Sequence, residues 1–204
     1  MTKEARRAQL LDVAYAIVQD EGTDALTLAR LAERAGVSKP IAYNHFGTRA
    51  GLLAALFAWF DAQQIARMRA ALAAGGDTLR ETAEIAAAGY LDCIVGDGPE
   101  FEELSAALLA YDETKDVLRE SRERFAAVYR EVFAPFVALE GDPGRAVLTA
   151  LVGAAEALAR DEHDGAIGRS TAIATLAALM VSTLEPLAGA AGRASDGVTG
   201  VTVR

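Results

Sequence analysis

The segment Thr27–Leu53, TLARLAERAGVSKPIAYNHFGTRAGLL, limits what this chain can fold into more than any other stretch. Leu28, Leu31, Ala32 and Ala35 recur at helical spacing and give a short helix one apolar stripe. Thr27 stands where its hydroxyl can cap that helix. Gly36 follows, and glycine best tolerates the left-handed geometry that closes a helix. Val37 can fill the gap between two helices, and Ser38 can cap the second. Pro40 falls in the first turn of that helix, where a missing N–H costs nothing. Gly47 ends it after His45 and Phe46, and Thr48 can cap a third helix from Arg49. Helix, glycine turn and short capped helix make a helix-turn-helix, whose second helix is built to lie in a DNA major groove.

The segment resembles the DNA-binding signature of TetR/AcrR-type transcriptional regulators, AxxAGVSxxxxYxHF followed by a charged link and a leucine pair. Ala32, Ala35, Gly36, Val37, Ser38, Tyr43, His45, Phe46, Leu52 and Leu53 fall in register. Four positions depart from the usual pattern. Ala42 replaces a larger aliphatic residue, Ile41 a small hydroxyl residue, Ala50 an acidic residue, and Arg49 a lysine. The resemblance covers roughly the first quarter of the chain; the rest matches by length and helical character. It implies an all-α protein with two domains. An N-terminal three-helix helix-turn-helix domain (1–47) precedes a larger helical ligand-binding and dimerisation domain (48–188), and a flexible tail (189–204) follows. It also implies a homodimer on an operator with two-fold symmetry, acting most simply as a repressor released by a small-molecule effector. A ligand-independent regulator or an activator is the alternative. A helical carrier or enzyme is a more distant one.

The formal net charge of -9 argues at first against a nucleic-acid partner. Its distribution reverses that judgement. Residues 1–50 sum to +1 and the remainder to -10, so the acidic excess lies outside the proposed reader. Hydrophobic residues form 52% of the chain and alanine is abundant, which favours packed helices over strands or disorder. A single cysteine, Cys93, excludes an internal disulfide. The start MTKEARRAQLL lacks the apolar core of a secretory signal, and no apolar run is expected to span a bilayer. The expectation is a cytoplasmic protein with no membrane partner.

Taken in order, residues 3–21 read as an amphipathic helix with Leu10, Leu11, Ala14, Ile17 and Val18 inward. Arg6 and Arg7 either touch phosphates or form a solvated basic start. Thr48 opens a long connector to about Leu72, closed by Gly75-Gly76-Asp77. Body helices are expected over Thr78–Val95, Glu100–Tyr111, Asp112–Leu139 (bent at Pro135), Arg145–Glu162 and Ile167–Leu187.

The candidate DNA-binding residues are Thr27, Ser38, Lys39, Pro40, Ile41, Tyr43, Asn44, His45 and Arg49. Lys39 can donate to guanine or phosphate, Asn44 can pair with adenine, and Ile41 can press a thymine methyl. Thr27, Tyr43, His45 and Arg49 look like backbone clamps. An effector pocket is expected around Trp59, Tyr90, Cys93, Phe101 and Leu104, together with Leu108, Tyr111, Phe125, Tyr129 and Phe133. For any single aromatic, core packing is the commoner role. A dimer face is expected from Leu148, Leu151, Val152, Ala155 and Leu158, with Ile173, Leu176, Leu179 and Met180. Glu156 and Arg160, one turn apart, can form a salt bridge, a dimer contact or a ligand anchor. Asp161, Glu162, His163 and Asp164 are consecutive and would diverge at a helix end, so no metal site is read there. No catalytic set or cofactor motif is present.

Overall fold

A computed structural model describes residues 1–73, 75–96 and 98–196, with side chains in all of these except 93–96, 98–102 and 189–196. Every long regular element among the described residues is an α-helix: α1 (Lys3–Glu21), α2 (Leu28–Arg34), α3 (Lys39–Phe46), α4 (Arg49–Leu72), α5 (Leu79–Gly96), α6 (Gly98–Leu109), α7 (Lys115–Phe133), α8 (Gly141–His163) and α9 (Arg169–Asp196). Short 3-10 turns occupy Thr23–Ala25 and Asp112–Thr114.

Local chemistry explains most boundaries. Thr2 and Thr27 cap α1 and α2 by accepting from the Ala5 and Arg30 amides at 3.1 Å each. Gly36 closes α2 at a φ of 64°, and the Val37 amide reaches back to the Ala32 carbonyl at 2.9 Å. Three boundaries differ from expectation. The helix expected to bend at Pro135 instead stops at Phe133, before the proline ring can displace a backbone bond. The sequence Gly141–Gly144 is the first turn of α8 rather than a separate turn, since Pro143 is tolerated there. Finally, α9 runs through Pro186 to Asp196, well past Leu187. Ser182, whose carbonyl loses its partner at Pro186, is exposed, so water can satisfy it.

The described chain forms two compact units. The first comprises Met1–Gln64 and Gly96–Ser121; the second comprises Ile65–Val95 and Arg122 onward. The first unit's core gathers Leu10, Ala14 and Ile17 of α1, Leu28 and Leu31 of α2, Ala42 and Phe46 of α3, and Leu52, Leu53 and Phe57 of α4. Leu104 and Leu108 of α6 are buried in the same cluster. The unit that holds the helix-turn-helix therefore extends beyond residue 47 to include α6.

The second core is built from α5, α7, α8 and α9. Tyr90, Phe125, Tyr129 and Phe133 form a run of aromatic contacts, with centroids 5.2 Å apart for Tyr90–Phe125, 6.5 Å for Tyr90–Tyr129 and 6.2 Å for Tyr129–Phe133. On α9, Ala172, Leu176, Met180 and Leu184 recur every fourth residue and face inward. Residues Arg169–Ala188 do have the length and apolarity of a membrane span, against the expectation that no run would. One side of this span packs against α8, and a third of it is buried.

The expected effector residues are divided between the two units, and most of the expected dimer residues are buried within the protomer. Of the effector residues, Trp59, Leu104, Leu108 and Tyr111 belong to the first unit, and Tyr90, Phe125, Tyr129 and Phe133 to the second. Trp59 packs beside Tyr15 of α1 at 5.8 Å, and Tyr111 binds Arg49. The side chains of Cys93 and Phe101 lie outside the described residues. An open cleft of about 690 Å³ lies between α5 and α9, lined by Arg80, Glu84, Ile85 and Ala88 and by Ser170, Ile173, Ala174, Ala177, Ala178 and Val181; it includes none of the expected effector residues. Of the dimer residues, Leu148, Leu151, Val152, Ala155, Leu176 and Met180 are buried within the protomer, Leu158 and Ile173 are half-buried, and only Leu179 is exposed. Both helices are apolar around much of their circumference, so periodicity alone did not separate their inner from their outer sides. Glu156 pairs with Arg122 of α7 at 2.8 Å instead of with Arg160.

Candidate nucleic-acid interface

The helix-turn-helix presents α3 as its free element. Ala42 and Phe46 anchor the helix in the core, which turns Ser38, Lys39, Pro40, Tyr43 and Asn44 outward. Tyr43 is 51% exposed, a large apolar ring left in water. Ile41 and His45 sit half-buried at the edge of this face. Ser38 occupies the cap position of α3, but its hydroxyl makes no capping bond. It therefore remains available to a partner, in place of the capping role expected of it. The hydroxyl of Thr27, in contrast, is engaged at the start of α2.

Charge pairing decides which cations can meet a polyanion. Arg30 binds Glu21 at 2.9 Å and Glu33 at 3.1 Å, and Arg34 binds Asp20 and Glu21. Arg7 donates to the His45 carbonyl at 2.8 Å and lies 4.9 Å over the Phe46 ring. It straps the start of α1 to the end of α3, a role neither of the two earlier readings of Arg7 included. Arg49 is turned inward, donating to the Leu26 and Thr23 carbonyls at 2.9 and 2.7 Å and to the Tyr111 hydroxyl at 2.7 Å. This runs against the expectation that Arg49 is a phosphate clamp, because three of its five N–H groups are engaged within the chain. The positive charge left outward comes from Lys39 on α3 and from Lys3 on α1, while Arg6 is half-buried and donates to Gln9 at 2.7 Å. Lys3 was missed from sequence, although the basic start of the chain carried the signal.

Partial burial, and then the nearby charges of Arg7, Lys3 and Arg6, hold the His45 imidazole below the usual histidine range. His45 is therefore held toward its neutral form. The unfolded chain would take up a proton below about pH 6.5 that the folded reader resists, so folding stability should fall as pH drops through that point. Binding to phosphates should run the opposite way, since a polyanion favours the imidazolium. Thermal unfolding and duplex affinity measured from pH 7.5 to 5.5 should show these opposite slopes, and His45→Gln should flatten both.

The sequence profile of the bacterial regulatory proteins of the tetR family matches residues 10–56, which span the last part of α1 through α2 and α3 into α4. Residues 10–56 therefore carry a DNA-binding domain of the tetR-family type. It is 32% identical over 97 residues to the HTH-type transcriptional activator FasR of Mycolicibacterium smegmatis, a match covering 48% of this chain and 44% of FasR. It is 42% identical over 50 residues to the HTH-type transcriptional regulator BetI of Rhizobium meliloti, covering 24% of this chain and 25% of BetI. The matches thus span less than half the length of these curated relatives. The crystal structure of a TetR-family transcriptional regulator from Pectobacterium atrosepticum superposes with a TM-score of 0.61 at 23% identity, over 91% of this chain and 95% of that one. The all-α TetR-type fold therefore extends across the described body, while the sequence match to FasR spans 97 residues.

Proposed function

We propose that this chain is a sequence-specific DNA-binding regulator of transcription that acts in the cytoplasm as a homodimer on a palindromic operator. The observation that carries this reading is the outward face of α3. Ser38, Lys39, Pro40, Tyr43 and Asn44 are all exposed on a rigid helix whose other side is locked by Ala42 and Phe46. These residue types suit a groove: lysine and asparagine for base edges, serine and tyrosine for phosphates.

Dimerisation is supported by the outer sides of α8 and α9. Ala146, Ala150, Gly153 and Ala157 on α8, and Thr171, Thr175, Ala178 and Ser182 on α9, are exposed and small. Such faces allow two helix pairs to approach closely across a two-fold axis. Release by a small apolar or aromatic effector is our reading of the body, supported by the cleft between α5 and α9 with its apolar lining of Ile85, Ala88, Ile173, Ala177 and Val181. The relative FasR is named an activator, so activation is the second reading of the regulatory sign.

The test is enrichment of random duplexes by the pure full-length protein, followed by sequencing. The expected result is an inverted repeat whose half-sites lie about one helical turn apart, 34–36 Å or somewhat more. Enrichment of no sequence would remove the proposal.

A further inference from the structure

Arg49 opens α4 directly after the reading helix, yet its side chain serves another part of the chain. Its Nε and Nη2 donate to the Leu26 and Thr23 carbonyls, which belong to the turn that delivers the chain to Thr27, the cap of α2. Its Nη1 donates to the Tyr111 hydroxyl, 62 residues along the chain. A second bridge runs beside it, where the Thr48 hydroxyl donates to Glu113 at 3.2 Å. Tyr111 is itself held, because the hydroxyl of buried Thr114 donates to its carbonyl at 2.9 Å. Leu104 and Leu108, just upstream, are buried in the reader's core.

Three donors in one plane are a property of guanidinium, and a lysine here could reach one acceptor well but not all three. The segment from Leu104 to Thr114 is therefore tied to the entry of α2 by the Arg49 fork, beside the Thr48–Glu113 bond and the direct packing of α6 on the Thr23–Ala25 turn, and α2 in turn packs on α3. We propose that Tyr111 is a positioning residue for DNA binding, acting through Arg49 to fix the Thr23–Leu26 turn and with it the angle at which α2 presents α3. This inference rests on the DNA-binding reading above.

The experiment uses the full chain and, as probe, the duplex enriched by the wild-type protein. Tyr111→Phe keeps the ring and removes the hydroxyl; Arg49→Lys keeps the charge and removes the fork. Affinities are read at a temperature where thermal unfolding shows every variant fully folded, so that lost stability cannot lower them. Each single variant is expected to bind about tenfold more weakly, and the double variant no more weakly than the poorer single, because both break one unit. The salt dependence should stay unchanged, since no phosphate contact is lost. Wild-type affinity in Tyr111→Phe, or single effects that simply multiply in the double variant, would overturn the inference while leaving the DNA-binding reading intact. A salt slope reduced by about one in Arg49→Ala would overturn it as well, by making Arg49 a phosphate clamp. A wild-type chain that enriches no duplex overturns both.

Discussion

Lys39→Ala should weaken binding to the enriched duplex by about 1–3 kcal/mol, roughly five- to 150-fold, and relax the preference at one base pair. Lys39 sits at the first position of α3, fully outward, where a flexible ammonium can reach either a base edge or a phosphate. With Lys3 it is one of two reader cations that remain outward once Arg6, Arg7, Arg30, Arg34 and Arg49 are assigned to partners within the chain. The two outcomes separate cleanly. A base contact relaxes specificity, whereas a phosphate contact lowers affinity for all sequences and reduces the salt slope by about one. Tyr43→Phe, which loses only the hydroxyl of a half-exposed ring, should give a smaller loss. Gel-shift titrations at two salt concentrations, with circular dichroism to verify folding, would measure both. Unchanged binding in both variants would remove α3 from the interface.

Leu176→Glu should prevent the second unit from folding rather than produce a folded monomer. Leu176 is wholly buried between α8 and its neighbours. A carboxylate there has no partner within its apolar surroundings, and burying it should cost more than about 4 kcal/mol. That is a large part of the ~5–15 kcal/mol available to a typical domain. Leu151→Glu on α8, only 3% exposed, should behave alike. Ala150→Glu and Ala157→Glu lie on the exposed side of α8, so they should leave the fold and its thermal transition nearly unchanged while splitting the dimer. Light scattering and thermal unfolding distinguish these outcomes. A Leu176→Glu protein that is soluble, cooperative and monomeric would contradict the packing described here, and a dimeric Ala157→Glu protein would place the interface elsewhere.

Much of the reader was legible because its signals are local. Thr27, Gly36, Pro40 and Gly47 act through backbone geometry within a few residues of themselves, and the apolar spacing of Leu28, Leu31, Ala42 and Phe46 needs only a helix to become a face. Those features set the helix bounds and the outward position of Lys39, Tyr43 and Asn44. The inward turn of Arg49 was not legible, because its acceptors lie on Thr23, Leu26 and the distant Tyr111, and a cation looks the same in sequence whether it meets a phosphate or a carbonyl. The placement of α6 with the reader was hidden for the same reason: Leu104 and Leu108 signal burial but not the partner that buries them. In α8 and α9, the abundance of alanine and leucine removed the contrast that tells an inner face from an outer one. The sequence by itself determined the helix-turn-helix, the caps at Thr27 and Gly36 and the exposed face of α3. Only the tertiary structure decided which side of each apolar helix is core and which polar groups meet across long loops, because those choices depend on contacts between residues far apart in the chain.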